Sequence, residues 1–297
     1  MANALAGLAD TTGPRGAAAP GPAAMAEHVL AGGSPLDFTE RPDWFSYSTL
    51  DTFARCPRQY AMRYLCRLPA EQPRPAADFG SAAHWAFQAF TRERRDRVAR
   101  GEPAPDRADL GRFFEAAWKS SSLVADPYSE SWLARAEPML DAFWAAESAV
   151  SAETMDEEVR FRLTLELEPE SSVAVSGYID RIDRLPSGAV ELIDYKTGRG
   201  GSPEAAGSSL QLSIYALGCR DALGLGRPGR VTLDFVEAGV RSSAEPTEEE
   251  LDSVREGLAA RAAEIRGSDY SPTPGDRACG WCDYRAMCLA AVPEATT

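Results

Sequence analysis

The sequence predicts an α/β fold in which a mostly helical first half is followed by strands that alternate with helices. Hydrophobic residues make up 44% of the 297 residues, which is enough apolar material for a buried core. Near residue 158 the spacing of apolar residues changes from a helical period of about 3.6 to a strand period of about 2. From there the pattern reads three strands, a helix and a further strand, an order that favours one α/β domain with helical additions.

We expect the chain to divide into a disordered tail and a single domain. Residues 1–42 are rich in Ala, Gly and Pro without sustained periodicity, which is typical of disorder. The domain is expected over residues 43–292, with a helical insertion at about 101–152. A C-terminal segment at about 270–290 is punctuated by Pro and Gly and carries three of the six cysteines.

The predicted elements follow from start signals, breakers and periodicity. Ser46 and Ser48 offer hydroxyl groups that suit a helix N-cap, and Pro57 is expected to break the helix that follows them. Further helices are predicted over residues 78–100, 110–119, 129–150, 208–220 and 248–266. Strands are predicted over residues 158–167, 172–185, 190–198 and 231–236.

Charge and composition exclude several classes of protein. The net charge of −14 argues against a generally basic nucleic-acid-binding surface, although a local basic groove stays possible. No apolar run is long enough for a transmembrane helix, and the N-terminus lacks a secretory signal, so we expect a cytoplasmic protein. A phosphate-binding loop is also absent from the sequence, because neither lysine follows the required glycine-rich pattern.

Two sequence features are suited to divalent-metal chemistry. In the predicted strand 190–198, Asp194 and Lys196 lie on one face, because side chains alternate along a strand. Only two of the 31 basic residues are lysines, Lys119 and Lys196, so an ammonium group at this position is notable in an arginine-rich chain. A carboxylate can hold a hard cation and a neighbouring lysine can orient water. A solvated ion pair at a strand end is an equal explanation of this stretch alone.

Further polar residues belong with this pair if the neighbouring strands form a hairpin. Asp180 would then approach Asp194, and His84 is the remaining candidate for a hard-metal ligand. Gln211 and Tyr215 are four residues apart, so they share a helix face and can orient the lysine or contact nucleic acid. Taken separately, His84 is better explained as a core histidine, and the other pair is equally explained as a surface glutamine with a half-buried tyrosine.

The first helix and the C-terminal segment carry two more patterns. Arg55, Arg58, Arg63 and Arg67, interleaved with tyrosines, are suited either to a phosphate backbone or to a solvated helix face. The cysteines of Cys279-x-x-Cys282-x₅-Cys288 have the spacing of a metal site, which by spacing alone fits zinc and an iron–sulfur cluster equally. Cys66 and Cys219 have apolar neighbours and are expected in the core.

In their order along the chain, His84, Gly177-x-x-Asp180-Arg, Asp194-Tyr-Lys196 and Gln211-x-x-x-Tyr215 resemble the PD-(D/E)XK nuclease superfamily. The similarity is greatest to RecB/AddB-type nuclease domains and to related CRISPR-associated nucleases, and it spans about residues 46–288. The usual Pro-Asp is Ile179-Asp180 here.

This resemblance implies a restriction-endonuclease-like core, a mixed central sheet flanked by helices, with a C-terminal iron–sulfur clasp. It implies a Mg²⁺- or Mn²⁺-dependent nuclease in which His84, Asp180, Asp194 and the carbonyl group of Tyr195 bind the metal. Lys196 would act on the attacking water, with Gln211 and Tyr215 completing the catalytic set.

The resemblance also implies a [4Fe–4S] cluster held by Cys56, Cys279, Cys282 and Cys288. The expected activity is exonuclease cleavage of single-stranded or end-containing DNA in repair or recombination, with a helicase as a separate partner subunit. The alternatives are a non-catalytic DNA-binding scaffold subunit of a helicase–nuclease complex and a zinc-stabilised interaction protein.

Overall fold

A computed structural model describes residues 42–69, 75–149, 152–167 and 171–292 of the chain. Residues 1–41, which make up nearly all of the predicted disordered tail, lie outside the described residues. The strands are β1 (Trp44–Phe45), β2 (Glu153–Leu167), β3 (Ser171–Arg184), β4 (Val190–Lys196), β5 (Arg230–Phe235) and β6 (Val240–Ala244). The helices are α1 (Tyr47–Arg55), α2 (Pro57–Tyr60), α3 (Pro75–Ala99), α4 (Arg107–Lys119), α5 (Ser129–Ser148), α6 (Leu210–Asp221), α7 (Glu248–Gly267) and α8 (Asp276–Cys279).

The first helix has the start and the break that its sequence predicts. Ser46 is the N-cap of α1 and forms a capping box with Thr49, which satisfies two backbone donors at the helix start. Pro57 occupies the first position of α2, where its missing N–H costs nothing. The chain then continues as a π-helical turn over Ala61–Leu65.

The strands form one mixed sheet, as the predicted α/β class requires. β2 pairs antiparallel along the whole of β3, so β1 and β4 must share the opposite edge of β3. β4 pairs parallel to β5, which pairs antiparallel to β6. The two short strands β1 and β6 were not predicted, and β2 begins five residues earlier than expected.

Each face of the sheet is covered by a separate apolar cluster. One face packs against α1, α6 and α7, through residues such as Phe161, Leu192 and Leu212. The other packs against α3, α4 and α5, where Ile193 and Tyr195 of β4 meet Phe87 and Phe143. The helices α4 and α5 of the predicted insertion therefore contribute to this second core.

A fully buried ion network lies between the sheet and this second core. Nε and Nη2 of Arg181 bind the carboxylate of Asp183 at 2.6 and 2.7 Å, and Nη1 binds Glu147 at 2.5 Å. Burial opposes the charge of Arg181, but Tyr195, Glu147 and Asp183 keep its pKa well above the ordinary value. The network is fully paired, as buried charges must be.

The side-chain alternation of the β2–β3 hairpin reverses at Glu158. This residue has a φ of 52°, in the left-handed region that non-glycine residues rarely occupy. On one side of it Glu157 faces α3, where it binds Arg95, and on the other Val159 packs against the α6–α7 core. In a regular strand two residues that are two positions apart share a face. The left-handed conformation of Glu158 therefore accounts for the opposite orientations of Glu157 and Val159.

A separate feature concerns membranes. Among the helices in the described part of the chain, none combines the length and the apolar character that crossing a bilayer would need.

Candidate active site

The candidate site lies where β3 and β4 separate. Their pairing ends at Arg181 and Ile193, after which β4 continues beside β5 alone. Asp180 and Asp194 follow this last pair and border the gap. Oδ2 of Asp180 accepts a hydrogen bond of 2.8 Å from the backbone N–H of Tyr195, which fixes the carboxylate between the two strands.

His84 reaches the gap from α3. Its Nδ1 lies 3.4 Å from Oδ2 of Asp180. Burial lowers the pKa of His84, but its hydrogen bond to Asp180 and the charges of Asp180, Asp194 and Glu158 outweigh burial, so the pKa is raised overall. The imidazole therefore stands in a strongly negative environment.

Glu158 completes a compact group that the sequence did not predict. One potential ligand atom from each of His84, Glu158 and Asp180 lies within 4.8 Å of the other two, the one such trio of His, Cys, Asp or Glu in the described residues. Burial and the neighbouring Asp180 raise the pKa of the Glu158 carboxyl. The sequence shows three consecutive acids, 156–158, and nothing in the pattern distinguishes the last, because its orientation depends on the left-handed backbone.

On the other side of the gap, Asp194 and Lys196 are held by α6. Nζ of Lys196 donates to Oε1 of Gln211 at 2.7 Å, and Nε2 of Gln211 donates to Oδ1 of Asp194 at 2.7 Å. The same Nε2 lies 2.7 Å from the hydroxyl oxygen of Tyr215. The four predicted residues thus form one continuous hydrogen-bonded chain.

Asp194 is buried in this chain and is electrostatically strained. Its burial, and next the charge of Asp180, raise its pKa from 3.8 to about 6 despite the attraction of Lys196. Nζ of Lys196 lies 2.6 Å from its Oδ2, yet this buried oxygen accepts no hydrogen bond of acceptable geometry within the described residues. The ion pair with Lys196 leaves further lone pairs of the Asp194 carboxylate available to a cation.

The structure divides the predicted metal ligands into two groups. His84 and Asp180 join the compact trio, whereas Asp194 is turned toward Lys196 and Gln211. The side chain of Tyr195 is on the opposite face of β4, where its hydroxyl accepts from Arg181 at 3.2 Å. Its backbone N–H is occupied by Asp180, as described above.

The residues around the gap fit a hard divalent cation. Three carboxylates and one imidazole are the donor types that Mg²⁺ and Mn²⁺ accept. Oδ2 of Asp194 is buried and, within the described residues, is held by its ion pair with Lys196 and by no well-aligned hydrogen bond, and Asp180 lies close enough to raise the pKa of Asp194. A cation there would offset the repulsion between these carboxylates.

Tyr47 is a second residue beside the site that the sequence did not single out. Burial and the charge of Asp51 raise its pKa, and the charges of Lys196 and Asp194 also act on it. Its position follows from the capping box, which starts α1 directly before this residue.

The cysteines predicted to bind a cluster come together in one pocket, which shares no residue with the gap between β3 and β4. Cys56, Cys279, Cys282 and Cys288 line one apolar pocket. Burial raises the pKa of the Cys282 thiol, and the other three thiols raise it further. Cys66 and Cys219 are fully buried in the apolar clusters.

Contacts between distant residues close this end of the chain. Nε of Arg58 donates a hydrogen bond of 3.1 Å to the carbonyl oxygen of Tyr270. The hydroxyl group of Thr273 donates one of 3.0 Å to the backbone carbonyl oxygen of Arg55. The guanidinium group of Arg63 lies over the ring of Tyr64 and 4.0 Å from Asp283. The guanidinium group of Arg55 pairs with Asp51, so three of the four arginines considered for a phosphate backbone have their side chains engaged within the chain.

Comparison with known proteins shows the family of this chain and similar chains among the solved structures. The family model of the PD-(D/E)XK nuclease superfamily matches residues 44–289. No curated protein matches the chain. The crystal structure of SSO0001 is 14% identical, with 91% of this chain and 97% of that chain covered and a TM-score of 0.40, which is too low to establish a shared fold.

Proposed function

Because this chain belongs to the PD-(D/E)XK nuclease superfamily, a membership that implies a metal-dependent nuclease, we propose that it hydrolyses phosphodiester bonds in DNA. The observation that carries the proposal is the gap between β3 and β4. There, the trio of His84, Glu158 and Asp180 faces the hydrogen-bonded chain of Asp194, Lys196, Gln211 and Tyr215. Metal ligands and a water-directing ammonium group thus border one opening.

Each side chain has a role that its contacts support. His84, Glu158, Asp180 and Asp194 would hold Mg²⁺ or Mn²⁺, with the carbonyl group of Tyr195 as a further ligand. Such a metal, when bound, lowers the pKa of water and offsets negative charge on the scissile phosphate. Lys196 orients the attacking water and stabilises developing negative charge, and Gln211 holds its Nζ in place. Tyr215 in turn limits the rotation of the Gln211 amide.

The nuclease proposal is tested with a matched pair of lysine variants. Lys196→Ala should lower Mg²⁺-dependent cleavage of labelled DNA by about a hundredfold or more, the loss typical of a group that assists proton transfer. Lys119→Ala is the control, because Lys119 is exposed and, within the described parts of the chain, is paired with Glu115 of its own helix alone. Full cleavage by Lys196→Ala would refute the assigned role. Binding of DNA without cleavage by the wild type in Mg²⁺ and Mn²⁺ would instead support the non-catalytic scaffold alternative.

We further propose an exonuclease acting on single-stranded or end-containing DNA, in repair or recombination, with any helicase supplied as a separate subunit. The absence of a phosphate-binding loop in the sequence supports a separate motor. Linear and circular single strands of the same sequence distinguish the modes of cleavage, because an exonuclease requires an end. Cleavage of both at equal rates would contradict the exonuclease proposal.

A [4Fe–4S] cluster bound by Cys56, Cys279, Cys282 and Cys288 is the second part of the proposal. Tetrahedral zinc with bonds of about 2.3 Å places sulfur atoms about 3.8 Å apart. Among the described residues no three cysteines have Sγ atoms within 4.8 Å of one another, although all four share one pocket. This wider spacing supports a larger group than a single ion.

Metal analysis after anaerobic purification tests the cluster. We expect about four iron and four sulfide per chain, lost in Cys56→Ser and retained in Cys219→Ser, which alters a buried core cysteine outside the pocket. A colourless protein with one zinc per chain would refute the cluster. The result is independent of the nuclease assay, since the pocket and the gap share no residues.

A further inference from the structure

One face of the β2–β3 hairpin is open to solvent beside the candidate active site. Phe161, Leu163 and Val175 point into the core on α6 and α7. By alternation the residues between them point outward, and this outer face carries Arg160, Arg162, Ser176, Tyr178 and, from the neighbouring strand β1, Trp44. The helices over the second core cover only the other end of this face.

The strand register places these side chains in a row that leads away from the metal-binding trio. Arg160 is paired with Tyr178, Arg162 with Ser176, and Trp44 with Ala174. Each pair is about 7 Å from the next, because two residues of a strand advance by that length. The first pair follows Glu158 and Asp180 directly, so the row begins at the candidate site.

The charges in this row lack partners. Most arginines of the described chain lie within 4.0 Å of a carboxylate, for example Arg92, Arg95 and Arg97. Arg160 and Arg162 have no such ion pair among the described residues, and both are exposed. Two adjacent uncompensated guanidinium groups in a chain of net charge −14 form a local positive site suited to phosphate groups.

The aromatic residues of the row are also exposed. Tyr178 is 52% and Trp44 48% accessible, although both are large side chains on a sheet surface. Because Ser176 lies between them along β3 and Arg160 and Arg162 flank them on β2, they do not form the continuous apolar patch that a protein partner would cover. Aromatic rings spaced along a positive surface are suited to stack on unpaired bases, which a duplex does not offer.

We propose that the outer face binds single-stranded DNA and directs it to the gap between β3 and β4. The bases would stack on Tyr178 and Trp44, and Arg160 and Arg162 would contact the phosphate groups. This inference rests on the proposed nuclease function for its choice of DNA, but its test does not depend on cleavage.

The test is fluorescence anisotropy of a labelled single-stranded oligodeoxynucleotide with the full chain in EDTA, over a range of salt concentrations. Tyr178→Ala should weaken binding by about tenfold with an unchanged salt dependence, because it removes stacking. The double variant Arg160→Ala/Arg162→Ala should weaken binding by about tenfold or more and reduce the slope of log affinity against log salt by about 1.4. Circular dichroism and thermal unfolding establish that each variant is folded.

Matched controls lie elsewhere on the molecule. Arg184→Ala removes an exposed arginine at the other end of the same hairpin, and Tyr128→Ala removes an exposed tyrosine at the start of α5. Both should bind like the wild type. Wild-type affinity in the Tyr178 and arginine variants, equal losses in the controls, or equally tight binding of duplex DNA or of single-stranded RNA would overturn the inference.

The outcomes separate the two proposals. If the wild type cleaves DNA and the outer-face variants bind normally, this inference fails and the nuclease proposal stands. If binding is lost in those variants while the wild type cleaves no substrate, the nuclease proposal fails and the outer face remains a binding surface.

Discussion

Replacing Asp194 by asparagine should stabilise the metal-free protein at neutral pH while removing a proposed metal ligand. The ionised carboxylate is buried, lies close to Asp180 and has its pKa raised from 3.8 to about 6. That change corresponds to about 3 kcal/mol of unfavourable free energy for the charged form, with the attraction of Lys196 already included. Asparagine keeps the acceptor for Nε2 of Gln211 and removes the charge, and Lys196, one-third exposed, can turn to solvent.

The stability gained by Asp194→Asn should depend on pH. A carboxyl group whose pKa is higher in the folded than in the unfolded state costs stability wherever it is ionised. The cost is absent below about pH 4, grows between pH 4 and 6, and is fully present above pH 6. The advantage of Asp194→Asn should follow the same curve and vanish in acid.

Thermal unfolding in EDTA measures the effect. At about 2–4 °C per kcal/mol for a chain of this size, the Tm at pH 7.5 should rise by about 6–12 °C. Millimolar Mg²⁺ should then raise the Tm of the wild type but not of the variant. The control is Asp183→Asn, which weakens the buried pairing of Arg181 and should lower the Tm. An unchanged Tm for Asp194→Asn, or a gain that persists at pH 4, would refute the electrostatic reasoning.

Three other substitutions test the backbone and the core. Glu158→Gly should raise metal-free stability by about 1 kcal/mol, because glycine accepts the left-handed conformation, and should weaken Mn²⁺ binding in calorimetry; stronger binding would contradict the ligand role. Gly218→Ala should cost about 1–3 kcal/mol in urea unfolding, since a Cβ would meet the Phe161 ring at 2.5 Å, whereas Gly257→Ala has open space and should be neutral or stabilising. Arg181→Leu should cost about 3–5 kcal/mol by leaving Glu147 and Asp183 unpaired, and a loss below 1 kcal/mol would show that they find other partners.

Local sequence rules predicted the helices and the long strands because those rules act within a few residues. Pro57 ends α1, and the alternation after residue 158 corresponds to β2 and β3. The two-residue β1 has no periodicity to detect, and β6 is a short edge strand with a polar sequence, Val-Arg-Ser-Ser-Ala. Strands like these depend on the neighbour they pair with, which the local pattern does not contain.

Part of the candidate site could also be predicted from local sequence rules, and part could not. The chain from Asp194 to Tyr215 was predicted because spacing of two in a strand and four in a helix places side chains on one face. Glu158 was not predicted as a site residue, because its side-chain direction depends on its left-handed backbone conformation. A sequence pattern of regular alternation does not reveal that conformation. The exposed arginines of the outer face were not predicted as a binding site, because whether an arginine has an ion-pair partner depends on the tertiary structure.

The contacts that join the two ends of the described chain also set an order of events during synthesis. Arg58 binds a carbonyl group that lies 212 residues later, and the ring of Tyr60 stacks on that of the same residue, Tyr270. At translation rates of about 5–20 residues per second, α1 and α2 must wait about 10–40 s for this partner. Until then the ring of Tyr60, which is fully buried in the finished protein, lacks this stacking partner on the nascent chain. Chaperone demand should therefore fall on α1 and α2, and their packing should be completed only after Tyr270 has been synthesised.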